Sequence, residues 1–287
     1  MSPTPLQEQT PTRLWTARTW PFIVSTLVLM TSIAFEAFAI TTVLPVAMAD
    51  LGGVQWYSLA FSATITAGLV GMVVGGNWAD HSGPRRPLVL GGALFLLGLV
   101  LCIAAPNAAV FILGRFLQGV GGGIDSVVLY VLIARQIPDG ARPKMFGLFT
   151  TAWLLPSVAG PLLAGTLAEL TTWRTVFALI LVGSAIALAG LLRSSRTDPV
   201  PAAPRAGIVA IVGRKGVLAV IAAGILLALH FGAQLPGTWA LAVVLLAMVA
   251  LLRAARAILP PGTLRLRGPA QRLVVLRALL GATVAGT

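Results

Sequence analysis

Charge is what this sequence has least of. Lys, Arg, Asp and Glu make up 10% of the 287 residues, where a soluble domain carries about 25%. So few charges cannot cover a surface that faces water throughout. The net charge is +12, but the bases sit in small groups between apolar runs. Loops at a membrane surface collect Lys and Arg in this way, and nucleic acid is not implied as a partner. The single cysteine, Cys102, lies inside an apolar run. It cannot form an intrachain disulfide and reads as a small buried apolar residue. Of the two histidines, His81 stands in a polar turn and His230 near the end of an apolar run. No paired His/Cys spacing suggests a metal, and no Gly-rich loop ending in Lys-Ser/Thr suggests nucleotide hydrolysis. The sequence therefore calls for no cofactor and shows no enzyme site.

What is present is apolar length. Hydrophobic residues make up 57% of the chain. Several runs approach or exceed the ~20 residues that cross a bilayer as a helix. The expected fold is an all-α polytopic membrane protein. Residues 1–20, with Pro3, Pro5 and Pro11, read as a polar tail. The run that follows is too long for a signal-peptide core and lacks a small-residue cleavage site, so it reads as a retained first span. Six spans are expected within 21–192: Pro21–Leu44, Trp56–Trp78, Pro87–Ala105, Ala109–Ala134, Met145–Ala168 and Thr175–Leu192. Residues 193–215, with three prolines, read as a linker, and 216–253 as two further spans separated by Pro236-Gly237. Residues 254–287 read as a basic stretch and the start of a ninth span. That last run, Leu273 to Thr287, rises only about 22 Å against a hydrocarbon thickness of ~30 Å.

The loops give the orientation. Nearly every Lys and Arg lies in the N-terminal tail or after an even-numbered span; Arg115 and Arg174 are exceptions and Arg277 is ambiguous. Loops after spans one, three and seven carry no basic residue. The tail and the linker are therefore expected on the cytoplasmic side.

The stretch Gly76 to Arg86, GNWADHSGPRR, links the second and third runs. Gly83-Pro84 supplies turn residues, and Arg85-Arg86 is a basic pair just outside a span. The spacing of Gly76, Asp80, Gly83, Arg85 and Arg86 resembles the loop signature of the major facilitator superfamily. The usual form has a base right after the second glycine; here that position is Pro84. Three more segments carry the resemblance. GRFLQGVGGG, Gly114 to Gly123, is similar to that family's arginine motif of span four. PSVAGPLLAG, Pro156 to Gly165, is similar to the Gly-Pro motif of span five in drug:proton antiporters, departing at Pro156 and Ala164. FEAFAITTVLP, Phe35 to Pro45, resembles the span-one motif of fourteen-span antiporters, with the acid Glu36 nine residues before Pro45.

The resemblance implies a six-helix facilitator-type bundle, two linker helices and a truncated ninth span. It implies proton-coupled efflux of small lipophilic or cationic compounds by alternating access, in the cytoplasmic membrane of a bacterium. Energy would come from an ion gradient. Lipid, protons, a small-molecule substrate and a second half-transporter or homodimer would be the partners. Two other readings stand beside it: an inactive fragment, and a regulatory membrane protein that binds other helix bundles.

Glu36 is the sharpest residue. A carboxylate at membrane depth is costly when charged, so it is paired, hydrated or protonated, and such groups mark proton pathways. A protonated Glu bonded within the bundle, with no transport role, is the alternative. Arg115 is always charged and needs a carboxylate, carbonyls or water; it reads as an aid to proton coupling or as a tether for span four. Asp125 is expected to meet Arg85 or Arg86 as a latch with Asp80, or to line a hydrated cavity. Pro156, Gly160, Pro161 and Gly165 are expected to bend span five and let it pack closely. Trp173 reads as an interfacial anchor. Trp153 reads as a packing or substrate-stacking residue.

Overall fold

The computed structural model describes residues 14–17, 19–195, 212–213, 216–225 and 249. Most of the linker, the two spans expected over 216–253 apart from residues 216–225 and 249, the whole of 254–287, and with them His230 and Arg277, fall outside the described residues.

Among the described residues, six helices are long and apolar enough to cross a membrane. They are α1 (Trp20–Asp50), α2 (Tyr57–Ser82), α3 (Arg85–Ala104), α4 (Ala108–Gln136), α5 (Arg142–Leu170) and α6 (Trp173–Ser194). A shorter apolar helix, α7 (Gly216–Ile225), starts beside Val74 of α2. The links between long helices are short, so successive helices run antiparallel. The α2–α3 and α4–α5 turns therefore lie at one end of the bundle. The α1–α2, α3–α4 and α5–α6 turns lie at the other.

Local sequence sets the ends. Pro21 occupies the first turn of α1, where a missing amide costs nothing. The Asn107 side chain accepts the Val110 amide at 3.1 Å and caps α4. Gly83 stops α2 at φ 76°, ψ 165°, a backbone region that only glycine occupies without strain. Arg142 donates to the Ile137 carbonyl at 3.0 Å and to the Ala134 carbonyl, satisfying the open end of α4, and pairs with Asp139.

The helices run past several expected boundaries. α1 continues through Pro45 to Asp50, and α2 through Asp80 to Ser82. Residues expected in the loop before span six, Glu169 and Arg174, are helical on either side of a two-residue link. α5 stays helical across both Pro156 and Pro161. Proline is tolerated in membrane helices because neighbouring groups re-satisfy the freed carbonyl.

Packing divides the bundle. α4 lies between α2 and α3, α1 packs on α5 and α6, and α3 meets α6; α1 and α4 barely touch. The α4 seams are built on glycine. A Cβ at Gly119 or Gly123 would run into the Thr64 and Gly68 carbonyls of α2. One at Gly98 would stand 2.6 Å from the Gly114 carbonyl. Without side chains between them the backbones approach closely, which is how membrane helices gain contact where lipid removes the hydrophobic drive. Phe95, Phe111, Phe149 and Phe177 fill the interior.

Candidate functional site

The apolar sequence of α1 carries one acid, Glu36, before its terminal Asp50, and that of α4 carries one arginine in its first half. The fold aims them at each other. Glu36 and Arg115 form an ion pair and are 4% and 2% exposed. The pair thus joins α1 to α4, two helices that otherwise barely touch. Arg115 makes two more contacts. Its Nη1 donates to Gln118 Oε1 at 3.1 Å, and its Nε to the Ala60 carbonyl of α2 at 3.4 Å. Its own carbonyl accepts from the Thr64 hydroxyl at 3.0 Å. Five donors in a rigid fork allow one guanidinium to hold acceptors on α1, α2 and α4 together.

The pair is closed in this state. The void beside Glu36, bounded by Ile40, Val43, Val176, Phe177 and Ile180, holds no space for a water molecule. Next to it, Leu27, Val28, Thr31, Ser32 and Phe35 of α1 and Leu179, Ile180 and Gly183 of α6 border an apolar groove of about 330 Å³. Chemically, this arrangement can exchange an ion pair for a protonated acid and a freed guanidinium.

The other expected site residues are dispersed. Asp125 is fully buried on α4, and a Cβ at Gly91 would lie 2.5 Å from its Oδ1, so the carboxyl faces α3. The expected latch, which would hold in one state and release in the other, is not engaged in this arrangement of the helices. Asp125 meets neither Arg85 nor Arg86. Among the described residues those arginines and Asp80 enter no ion pair. The reason is distance along α3: Gly91 lies six residues beyond Arg85, about 9 Å of helix rise. Arg85 and Arg86 are exposed, and Gly76 rests against Val127 of α4. In α5, Pro156 and Gly160 are buried and Pro161 and Gly165 partly so. Gly160 lies against Phe35 and Phe38 of α1, and Gly165 against Thr42.

Three features escape sequence reasoning. Gln118, three residues after Arg115, is a direct partner of the guanidinium; the i, i+3 spacing was the available signal. Gly91 and Gly98 on α3 carry the seam to α4. The third feature explains the exceptional Arg174. Its Nη1 bonds Asp50 Oδ2 at 2.9 Å, Nε the Ile103 carbonyl at 3.2 Å and Nη2 the Ala105 carbonyl at 3.2 Å. Trp173 donates to the same Asp50 oxygen at 3.0 Å and packs edge-on against Phe111 and Phe177. Trp173 is buried. Trp153 meets Phe38 edge-to-face at 6.0 Å.

The family model of the Major Facilitator Superfamily matches residues 26–287. The chain is similar to the methylenomycin A resistance protein of Bacillus subtilis, 33% identical over 168 residues, covering 54% of this chain and 34% of the relative. It is similar to multidrug resistance protein 3 of Bacillus subtilis, 30% identical over 160 residues, covering 56% and 31%. An uncharacterized MFS-type transporter of Mycobacterium tuberculosis is 31% identical over 228 residues, covering 76% and 33%. The chain thus spans about a third of the length of these curated relatives. Among solved structures, a peptide transporter POT superposes with TM-score 0.56 at 18% identity, covering 79% of this chain and 49% of that one. A D-xylose–proton symporter gives 0.51 at 14%, covering 83% and 67%. These two likenesses concern the fold.

Proposed function

This chain belongs to the Major Facilitator Superfamily, and from that premise we propose that it supplies the first helical bundle of a proton-coupled exporter of small lipophilic or cationic compounds. Glu36 takes up and releases the proton. Arg115 holds the carboxylate when it is empty and lets go when it is filled, and Gln118 and the Ala60 carbonyl receive the guanidinium. The observation that carries this reading is the buried Glu36–Arg115 pair joining α1 to α4, two helices that otherwise have little contact. A proton arriving at Glu36 cancels the attraction across that joint. The change can be converted into movement because isolated charges at membrane depth are so costly. Names of relatives in antibiotic and multidrug resistance support export as the direction.

Alternating access arises from one bundle moving against another around a midplane site. The partner bundle would be a second six-helix unit, or a second copy of this chain. The α5 side, with Leu154, Leu155, Val158 and Leu162 more than half exposed, is the surface we assign to lipid or to that partner. The signature turn, with Gly83 and the exposed Arg85–Arg86, would face the cytoplasm of a bacterial cell, as would the N-terminus. There Gly76, Asp80 and the arginine pair would act on the movement from outside the membrane core. Pro156, Gly160, Pro161 and Gly165 would keep α5 close against α1 while it moves.

The test is proton-gradient-driven efflux of a lipophilic cation from inverted vesicles. The intact chain would be measured alone and with a co-expressed second bundle, each beside Glu36→Gln. Efflux that depends on the gradient and disappears in Glu36→Gln is expected. Equal gradient-driven efflux with and without Glu36 removes it from the mechanism. Absence of efflux in every pairing points instead to a membrane protein that acts on other bundles.

A further inference from the structure

One carboxyl group remains outside the scheme above. Asp125 is fully buried, and neither of its oxygens has a hydrogen-bond partner among the described residues. It does not share the Arg115 site. It lies ten residues further along α4, about 15 Å of rise, and it faces α3, while Arg115 reaches to α1 and α2. The charged groups on the helices around it are Asp80 and His81 on α2, Arg85 and Arg86 on α3, Arg115 and Arg135 on α4, Glu36 and Asp50 on α1, and Arg174 and Arg193 on α6. None of them forms an ion pair with Asp125. The contact surface is equally specific. The carboxyl lies against Gly91, where a Cβ would stand 2.5 Å from Oδ1, and Ile124 fills the remaining space at that glycine. Thus α3 leaves room for the carboxyl and offers it no donor side chain.

A carboxylate ion in that place would have no cation, no donor and no water-facing edge, the least favourable state available to a charge inside a bilayer. The neutral acid fits without such a cost. We propose that Asp125 is a second proton-binding site of the bundle, set in the α3–α4 seam apart from the Glu36–Arg115 pair, and that it carries a proton whenever these two helices are packed as seen here. The seam suits release as well as holding. Gly91, Gly98, Gly114 and Gly121 let backbone approach backbone across it, so few bulky side chains stand between α3 and α4 along this line. A shift that admitted water to Asp125 would free its proton. Closing the seam would demand a proton back.

The transport consequence rests on the proton-coupled reading above; the occupancy of Asp125 does not. The experiment is infrared spectroscopy of the full chain in lipid vesicles at neutral pH, with and without aspartate carrying a heavy carbon isotope in its carboxyl group. A protonated-acid carbonyl band is expected that shifts with labelled aspartate, is lost in Asp125→Asn and remains in Glu36→Gln. No aspartate-sensitive acid band, or one that survives Asp125→Asn, overturns the proposal. Should Asp125→Asn fail to fold, Gly91→Ala serves: its added methyl displaces the carboxyl, so the labelled band must change frequency, and an unchanged band is equally fatal. An acid band in a chain that shows no proton-driven efflux would leave this site standing and dismiss the transport reading. Gradient-driven efflux without the band would do the reverse.

Discussion

Replacing Arg115 by methionine should be the most damaging single change in the α1–α4 contact, and replacing both members of the pair should be milder. In Arg115→Met the Glu36 carboxyl keeps its burial and loses its cation, while Gln118 Oε1 and the Ala60 carbonyl lose a donor. Breaking a buried ion pair from one side costs about 3–5 kcal/mol, because the remaining charge is left uncompensated. Glu36→Gln also leaves a charge uncompensated, the guanidinium, but the amide oxygen still accepts from it and the other two contacts of Arg115 persist. That places it at the lower end of the same range, about 3 kcal/mol. Apolar replacement of both partners is often neutral or stabilising, so Glu36→Met/Arg115→Met should lie closer to the parent than Arg115→Met alone. The coupling across the cycle is expected at about 2 kcal/mol or more, within the range for groups in direct contact. Reversible unfolding in mixed micelles measures all four corners. Strictly additive losses, or an Arg115→Met within about 0.5 kcal/mol of the parent, the level of an ordinary surface change, would show that the two groups are separately solvated and that the joint does not exist.

Other expectations follow from the same contacts. Gly98→Ala and Gly123→Ala place a methyl group against a carbonyl of the neighbouring helix and should each lose about 1–3 kcal/mol to overpacking. Gly160→Ala has 3.5 Å to its nearest neighbour and should be neutral or gain up to about 1 kcal/mol from helix propensity; thermal unfolding in detergent separates the two classes. Gly83→Ala must hold alanine at φ 76°, ψ 165° and should cost about 1–3 kcal/mol, visible as lowered thermal stability, whereas Pro84→Ala should be mild. Arg174→Lys should destabilise nearly as much as Arg174→Gln. A single ammonium cannot reach Asp50 and the two carbonyls of α3 in the geometry of the guanidinium. Full rescue of thermal stability by lysine would mean that charge alone matters there.

How far the sequence could be read depended on whether a feature was local. Apolar runs located all six long helices, because length and hydropathy are properties of consecutive residues. Their ends were less legible. Pro45 looked like a boundary for α1, yet the helix passes through it for another turn and more, since a membrane helix in a bundle has neighbours to take over the freed carbonyl. Arg174 looked like a base on the wrong side of the membrane. Its explanation requires Asp50, more than a hundred residues earlier, and two backbone carbonyls at the end of α3. No periodicity connects those positions. Asp125 was legible as an unusual acid, but the side of α4 it occupies was not.

By itself the sequence determined the medium and the kind of element. Charge is too scarce for water, and runs of this length must become helices in lipid, where each backbone amide needs a partner within its own segment. It also marked Glu36, Arg115 and Asp125 as residues too costly to be incidental. The tertiary structure decided what each of them faces. Glu36 and Arg115 lie 79 residues apart in the chain and meet only because α1 and α4 present those faces to each other; Asp125 turns to a glycine of α3 and, among the described residues, forms no ion pair. A partner is set by which helix faces come together, and that depends on the fit of whole surfaces such as the glycine seams, which no single segment encodes.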